Sequence, residues 1–134
     1  MAVVIDASAL ALCLLGSSSR DAALRRRLTE DTCHAPHLID AETGNLLRRR
    51  VLRGELAADD GLALLATSRS LLDHRHEMTG SLAAAAWRLR ANLSFYDAMY
   101  VALAQALAIP LITADARLSR APALPCVIEL VVDR

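Results

Sequence analysis

Four acids stand where the chain changes from one kind of element to another. Asp6 follows the β-branched run Val3-Val4-Ile5 directly, and Asp115 lies two residues past Ile112-Thr113. Glu42 and Asp97 fall in the early turns of two expected helices. Each has an ordinary structural explanation. Asp6 can cap the following helix by accepting the amide of Ser8 or Ala9. Glu42 can be a solvated acid near the positive end of a helix dipole. Ser94-Phe95-Tyr96-Asp97 matches the outline of a capping box, with Asp97 reaching back. Asp115 can cap the short turn Ala116-Arg117-Leu118. Together they imply more, because two strand ends and two helix starts can face one end of a sheet. Carboxylates gathered there repel one another, and some of their pKa values rise unless a divalent cation neutralises them. Oxygen donors of this kind suit Mg²⁺ or Mn²⁺. Such ions suffice for phosphodiester hydrolysis by in-line attack, without lysine or histidine.

The elements that must position these acids can be read from apolar patterning. Val3-Val4-Ile5 reads as a buried strand feeding a helix over Ala9 to Leu15. After the loop Gly16 to Ser19, Asp21 to Glu30 reads as a polar helix, and Cys33-His34-Ala35 as a short strand. Pro36 is expected to open a long helix to about Arg53, with Leu38, Leu46, Leu47 and Val51 on its apolar face. Helices follow over Asp59 to Leu72, Gly80 to Arg90 and Phe95 to Ala108, with His76-Glu77-Met78 a weak candidate strand. Ile109 to Thr113 and Cys126 to Val131 are the remaining strands. Apolar strands separated by helices, with no hairpin dipeptides, give the fold class: α/β, a three-layer sandwich with a central parallel sheet flanked by helices. Ligands of open parallel sheets bind beyond the carboxyl ends of the strands, near the point where strand order reverses. That rule directs attention to Asp6 and Asp115.

Composition narrows the function classes. The 134 residues are one domain's worth of chain, expected to fold as a single domain over 1–134, and 54% hydrophobic content excludes disorder. Only 3% is aromatic, so the base-stacking sheets of RNA-recognition and oligonucleotide-binding folds are excluded. Fifteen basic residues balance 15 acidic ones, which gives no electrostatic reason for broad duplex-DNA binding. All the basic residues are arginine. A chain without lysine is no Walker-A hydrolase, Schiff-base enzyme or phosphoaspartate receiver. A phosphatase with a nucleophilic aspartate would want a second Asp two residues after the first, where Ser8 stands. Arg48, Arg49, Arg50 and Arg53 extend the helix of Glu42 and are expected mostly to form a solvated face. Cys13, Cys33 and Cys126 are odd in number and widely spaced, which suits a reducing compartment and hence the cytoplasm. Cys33, His34, His37, His74 and His76 fit no standard zinc spacing. The N-terminus lacks a basic stretch before its apolar run, so it is not expected to be a signal peptide. The apolar stretch Ala98 to Ala114, interrupted by Gln105 and Pro110, is too short for a membrane span.

The wording around the acids carries a family resemblance. Val3-Val4-Ile5-Asp6-Ala7-Ser8-Ala9, Asp40-Ala41-Glu42, Leu93-Ser94-Phe95-Tyr96-Asp97-Ala98-Met99-Tyr100 and Ile112-Thr113-Ala114-Asp115-Ala116-Arg117-Leu118 resemble, in order, the PIN-domain ribonucleases, and among them the VapC-type toxins. The resemblance implies a sheet whose first and fourth strands are adjacent, with an acidic Mg²⁺ pocket at their ends. It implies that Asp6, Glu42, Asp97 and Asp115 are the catalytic and metal-holding acids and that Thr113 is the family's usual hydroxyl residue. Ser8 is placed to donate a hydrogen bond to Asp6. It implies a metal-dependent endoribonuclease, a toxin kept in check by a small cognate antitoxin, acting on RNA and forming a homodimer. From Arg53 to Arg90 only helical character and length match, so nothing about substrate choice transfers there. The competing class is a non-catalytic PIN-like module that binds RNA or protein.

Overall fold

A computed structural model describes residues 1–131. In chain order the elements are β1 (Ala2–Ile5), α1 (Ala7–Leu15), α2 (Ser19–Glu30), β2 (Thr32–Pro36), α3 (Leu38–Leu52), α4 (Ala58–Leu71), β3 (His74–His76), α5 (Gly80–Arg88), α6 (Phe95–Leu107), β4 (Leu111–Thr113), α7 (Ala116–Ser119) and β5 (Ile128–Leu130). The five strands form one sheet in the order β3-β2-β1-β4-β5, and every pairing is parallel. Val4 pairs with Leu111 and Ile5 with Ile112, so the first and fourth strands are neighbours, as the resemblance implies.

The chain steps outward from β1 to β3, then crosses back to β4 and on to β5. Right-handed crossovers put the helices of the outward leg on one face and α5 and α6 on the other, giving three layers. Helix α6 packs on β1, β2 and β4, with α5 on its outer side. Every residue from Ala98 to Ala104 is buried, as expected for a helix enclosed on both sides. Ala86, Ala98 and Ala102 are fully buried, and their small side chains let α5 lie close against α6. Val3, Val4, Ile5, Leu111 and Ile112 fill the core between the layers. Strand order reverses between β1 and β4, so the crevice at their carboxyl ends is where a ligand site is expected.

Three local expectations need correction. Pro36 does not open the long helix; it is the last residue of β2, paired with His76, and α3 starts at Leu38. A proline is tolerated there because the strand ends with it, and the following amide, that of His37, bonds His76 O. The third strand is His74–His76 rather than 76–78. The last strand shortens to Ile128–Leu130.

Candidate active site

The site is assembled from two strand ends and two helices. Asp6 leaves β1 as the N-cap of α1, and its Oδ1 accepts the Ala9 amide at 2.9 Å, so the capping expectation holds. The same carboxylate, only 6% exposed, faces the end of β4. Thr113 Oγ1, fully buried, donates to Asp6 Oδ2 and accepts the Asp115 amide at 3.0 Å. Ser8 Oγ donates to Asp6 Oδ1 at 2.7 Å and accepts the Ala114 amide at 2.9 Å. Each hydroxyl commits its one proton to Asp6 and uses a lone pair to fix the backbone leading to Asp115. Two strand ends are thereby locked at the switch point, with the Ser8 and Thr113 hydroxyls both donating to Asp6.

Asp115 caps α7, its Oδ1 accepting the amides of Arg117 and Leu118. Asp97 sits in the first turn of α6, where its amide bonds Ser94 Oγ at 3.2 Å. The expected capping box is half formed, since no bond from the Ser94 amide to the Asp97 carboxylate completes it. The contrast is Ser18 and Asp21 at the start of α2, where both bonds are made. Asp97 instead lines a cavity of about 140 Å³ together with Asp6, Glu42, Asp115, Ala7, Ser8 and Tyr100. All four acids therefore meet in one crevice. Tyr100, to which sequence reasoning gave no role of its own, donates its hydroxyl to Glu42 Oε1 at 2.6 Å. The available signal was its spacing, one helical turn after Asp97 on the same face of α6.

The electrostatics are those of crowded acids. Burial raises the pKa of Asp6, partly offset by the bonds from Thr113, Ala9 and Ser8, and Asp97 raises it further. Burial also raises Glu42, with Tyr100 pulling down and the charges of Asp97 and Asp6 pushing up. Asp97 is raised by burial and then by Asp115, while Ser94 and Arg117 act the other way. An all-oxygen donor set carrying excess negative charge fits a hard divalent cation. Among the described residues no three His, Cys, Asp or Glu side chains close tightly enough to cage an ion.

The other candidates lie elsewhere. No histidine lines the acidic cavity. His34 Nδ1 lies 2.9 Å from His76 Nε2, and the His34 and His74 rings stack at 4.7 Å on β2 and β3. Cys33 is buried and its thiol points to Leu28 O. Arg50 and Arg53 pair with Glu55 on the surface, and Arg48 lines an apolar groove between α3 and α4. No helix of the described residues is long and apolar enough to cross a membrane.

Comparison with known proteins agrees with this geometry. A family model described as PIN domain matches residues 3–124. The chain is 46% identical over 128 residues to Ribonuclease VapC1 of Mycobacterium tuberculosis, spanning 96% of both chains. It is 43% identical over 129 residues to a VapC ribonuclease of Mycobacterium bovis, spanning 96% of this chain and 98% of that one. Its fold is similar to a chain of VapBC2 from Rickettsia felis, solved bound to a promoter DNA fragment, with TM-score 0.73 and 13% identity over 98% and 99% of the two chains. It is also similar to the sarcin-ricin loop cleaving toxin VapC20 of Mycobacterium tuberculosis, with TM-score 0.66 and 21% identity over 87% and 92%. The sequence motifs, the strand order and these relatives agree: the chain belongs to the PIN-domain family, among its VapC-type toxins.

Proposed function

We propose that this protein is a Mg²⁺-dependent endoribonuclease (Mn²⁺ serving as well), the toxin of a toxin–antitoxin pair, and that Asp6, Glu42, Asp97 and Asp115 are its catalytic and metal-holding residues. The observation that carries the reading is the convergence of all four acids on one cavity at the β1/β4 switch point. A divalent ion held by these acids would supply a nucleophile from water at neutral pH and offset charge on the phosphate. The chain's own residues do the rest. Asp6, held by Ser8, Thr113 and the Ala9 amide, is a fixed acceptor at the floor of the site. Glu42, oriented by Tyr100, completes the donor set or orients a water. Asp97 and Asp115 bring oxygens from the first turn of α6 and the cap of α7. No lysine or histidine stands in the cavity, so proton transfer falls to carboxylates and solvent.

The relatives named as ribonucleases support RNA as substrate, and the VapBC complexes support a small antitoxin as partner. The apolar groove lined by Leu47, Val51, Leu62 and Leu65 leaves Leu52 and Leu62 two-thirds exposed, a surface suited to a protein partner. A cytoplasmic homodimer is part of the same proposal, tested by light scattering of the free protein.

The experiment that tests the reading incubates purified protein with total cellular RNA, with Mg²⁺ and with excess chelator, and sequences the new 5′ ends. Discrete new ends that depend on Mg²⁺ are expected. Binding of RNA with no cleavage in Mg²⁺ or Mn²⁺ would return the chain to the class of non-catalytic binding modules. Expression alone should arrest growth, and co-expression of the adjacent small reading frame should restore it.

A further inference from the structure

A second cavity of about 240 Å³ opens beside the acidic one and shares Asp97 with it. Its walls carry Asn92, Ser94 and Arg117, with Leu93, Leu118 and Ala121 beneath. Among the described residues, Arg117 is the sole basic side chain lining either cavity. Its side chain is 86% exposed, and its guanidinium reaches Asp115 Oδ2 only loosely, at 3.7 Å. An exposed pair at that distance contributes little to stability, so the guanidinium is available to another anion. Four carboxylates repel a polyanionic strand; a cation at the shared edge is what lets the strand approach. The guanidinium fork also matches the geometry of phosphate oxygens.

We propose that Arg117 is the phosphate-binding residue that seats the RNA backbone in the Asn92–Ser94–Asp97 cleft beside the acids. The inference rests on the ribonuclease reading above. The cleft's size suits a single phosphate–ribose unit, and Asn92 and Ser94 add neutral polar partners for the sugar. Phosphate contacts of this kind fix register and carry no sequence information, so Arg117 positions every substrate alike.

The test is binding of a fluorescein-labelled, mixed-sequence single-stranded oligoribonucleotide to the intact protein, followed by anisotropy in chelator across a salt series. Cleavage of the same RNA in Mg²⁺ is measured alongside. Arg117→Ala should weaken binding about five- to tenfold at low salt, lower the slope of log K against log salt by roughly 0.7, and raise KM more than it lowers kcat. Arg117→Lys should recover part of the affinity. Arg69→Ala, at the end of α4 where the chain enters the far end of the sheet, should change neither cleavage nor slope. Arg117→Ala with the parental affinity, slope and KM would overturn the assignment. Parental protein that neither binds nor cuts the RNA would overturn the ribonuclease reading and this inference with it, a result distinct from the first.

Discussion

The Tyr100 hydroxyl donates to Oε1 of Glu42 at 2.6 Å, joining helix α6 to helix α3 at the wall of the acidic cavity. The bond favours ionised Glu42, and burial, followed by the bond itself, pushes the Tyr100 hydroxyl far above its ordinary range. Tyr100→Phe keeps the ring and removes the donor. Buried hydrogen bonds to charged groups contribute about 1.5–3 kcal/mol, so a loss of that order is expected at pH 7. The difference between parent and variant should narrow towards pH 4, as Glu42 becomes protonated. Denaturant unfolding at the two pH values checks this, and an equal loss at both would show that Glu42's charge does not matter to the bond.

Two threonines give opposite results for the same isosteric change. Thr113 makes two hydrogen bonds in a fully buried place, so Thr113→Val strips Asp6 of a donor and the Asp115 amide of an acceptor. A loss of about 1–3 kcal/mol is expected, together with weakened RNA cleavage. Thr43 is also buried, but its Oγ1 has no hydrogen-bond partner among the described residues. Thr43→Val should leave stability unchanged or raise it by up to roughly 1 kcal/mol. Thermal melts of the two variants check the pair of signs.

The histidines on β2 and β3 give the fold an acid-sensitive edge. Burial and then His74 lower the pKa of His34 below 6.5, with His76 adding to this and Asp73 opposing it. His76 is lowered by burial, then by His74 and His37. Above about pH 6.5 these rings are neutral in both states, and nothing is lost. As pH falls below that value the unfolded chain takes up protons first, so the folded state loses stability until the lowered pKa values are passed. Asp6, Glu42 and Asp97, whose pKa values are raised, act in the opposite sense at lower pH. Comparing the parent with His34→Gln cancels the carboxylate effect. The variant should show a shallower decline in unfolding free energy between pH 7 and 5.5, and parallel curves would contradict the cluster's role.

What the sequence makes legible follows from what is encoded locally. Val3 to Ile5 and Leu111 to Thr113 are buried on both faces, so their continuous apolar runs announce strands of a covered parallel sheet. Strand β3 is His-Arg-His at the sheet's edge, and no local apolar pattern marks it. It is held by pairing with β2 and by the Arg75–Asp40 ion pair at 2.6 Å, both of them long-range. The acids are legible as types beside strand and helix ends, because those places carry their own signals. Tyr100 is not, since its role depends on α3 meeting α6, and a tyrosine in a buried helix otherwise reads as packing. Arg117 likewise reads as one exposed arginine among many until the fold sets it beside Asp97.

Asp97 decides whether the acidic cavity is a working metal site or a set of separately useful caps. Thermal melts of the parent and Asp97→Asn, each in chelator and in Mg²⁺, measure it most directly, with RNA cleavage followed in parallel. Removing one of several like charges should leave the metal-free variant as stable as the parent or more so at pH 7, because Asp97's pKa is raised in the fold. Mg²⁺ should raise the parent's melting temperature more than the variant's, since a ligand stabilises the folded state according to how well it binds there. Cleavage should be lost in the variant. A variant that melts lower in chelator, gains as much from Mg²⁺ and still cuts RNA would contradict the account and leave Asp97 with its helix end alone.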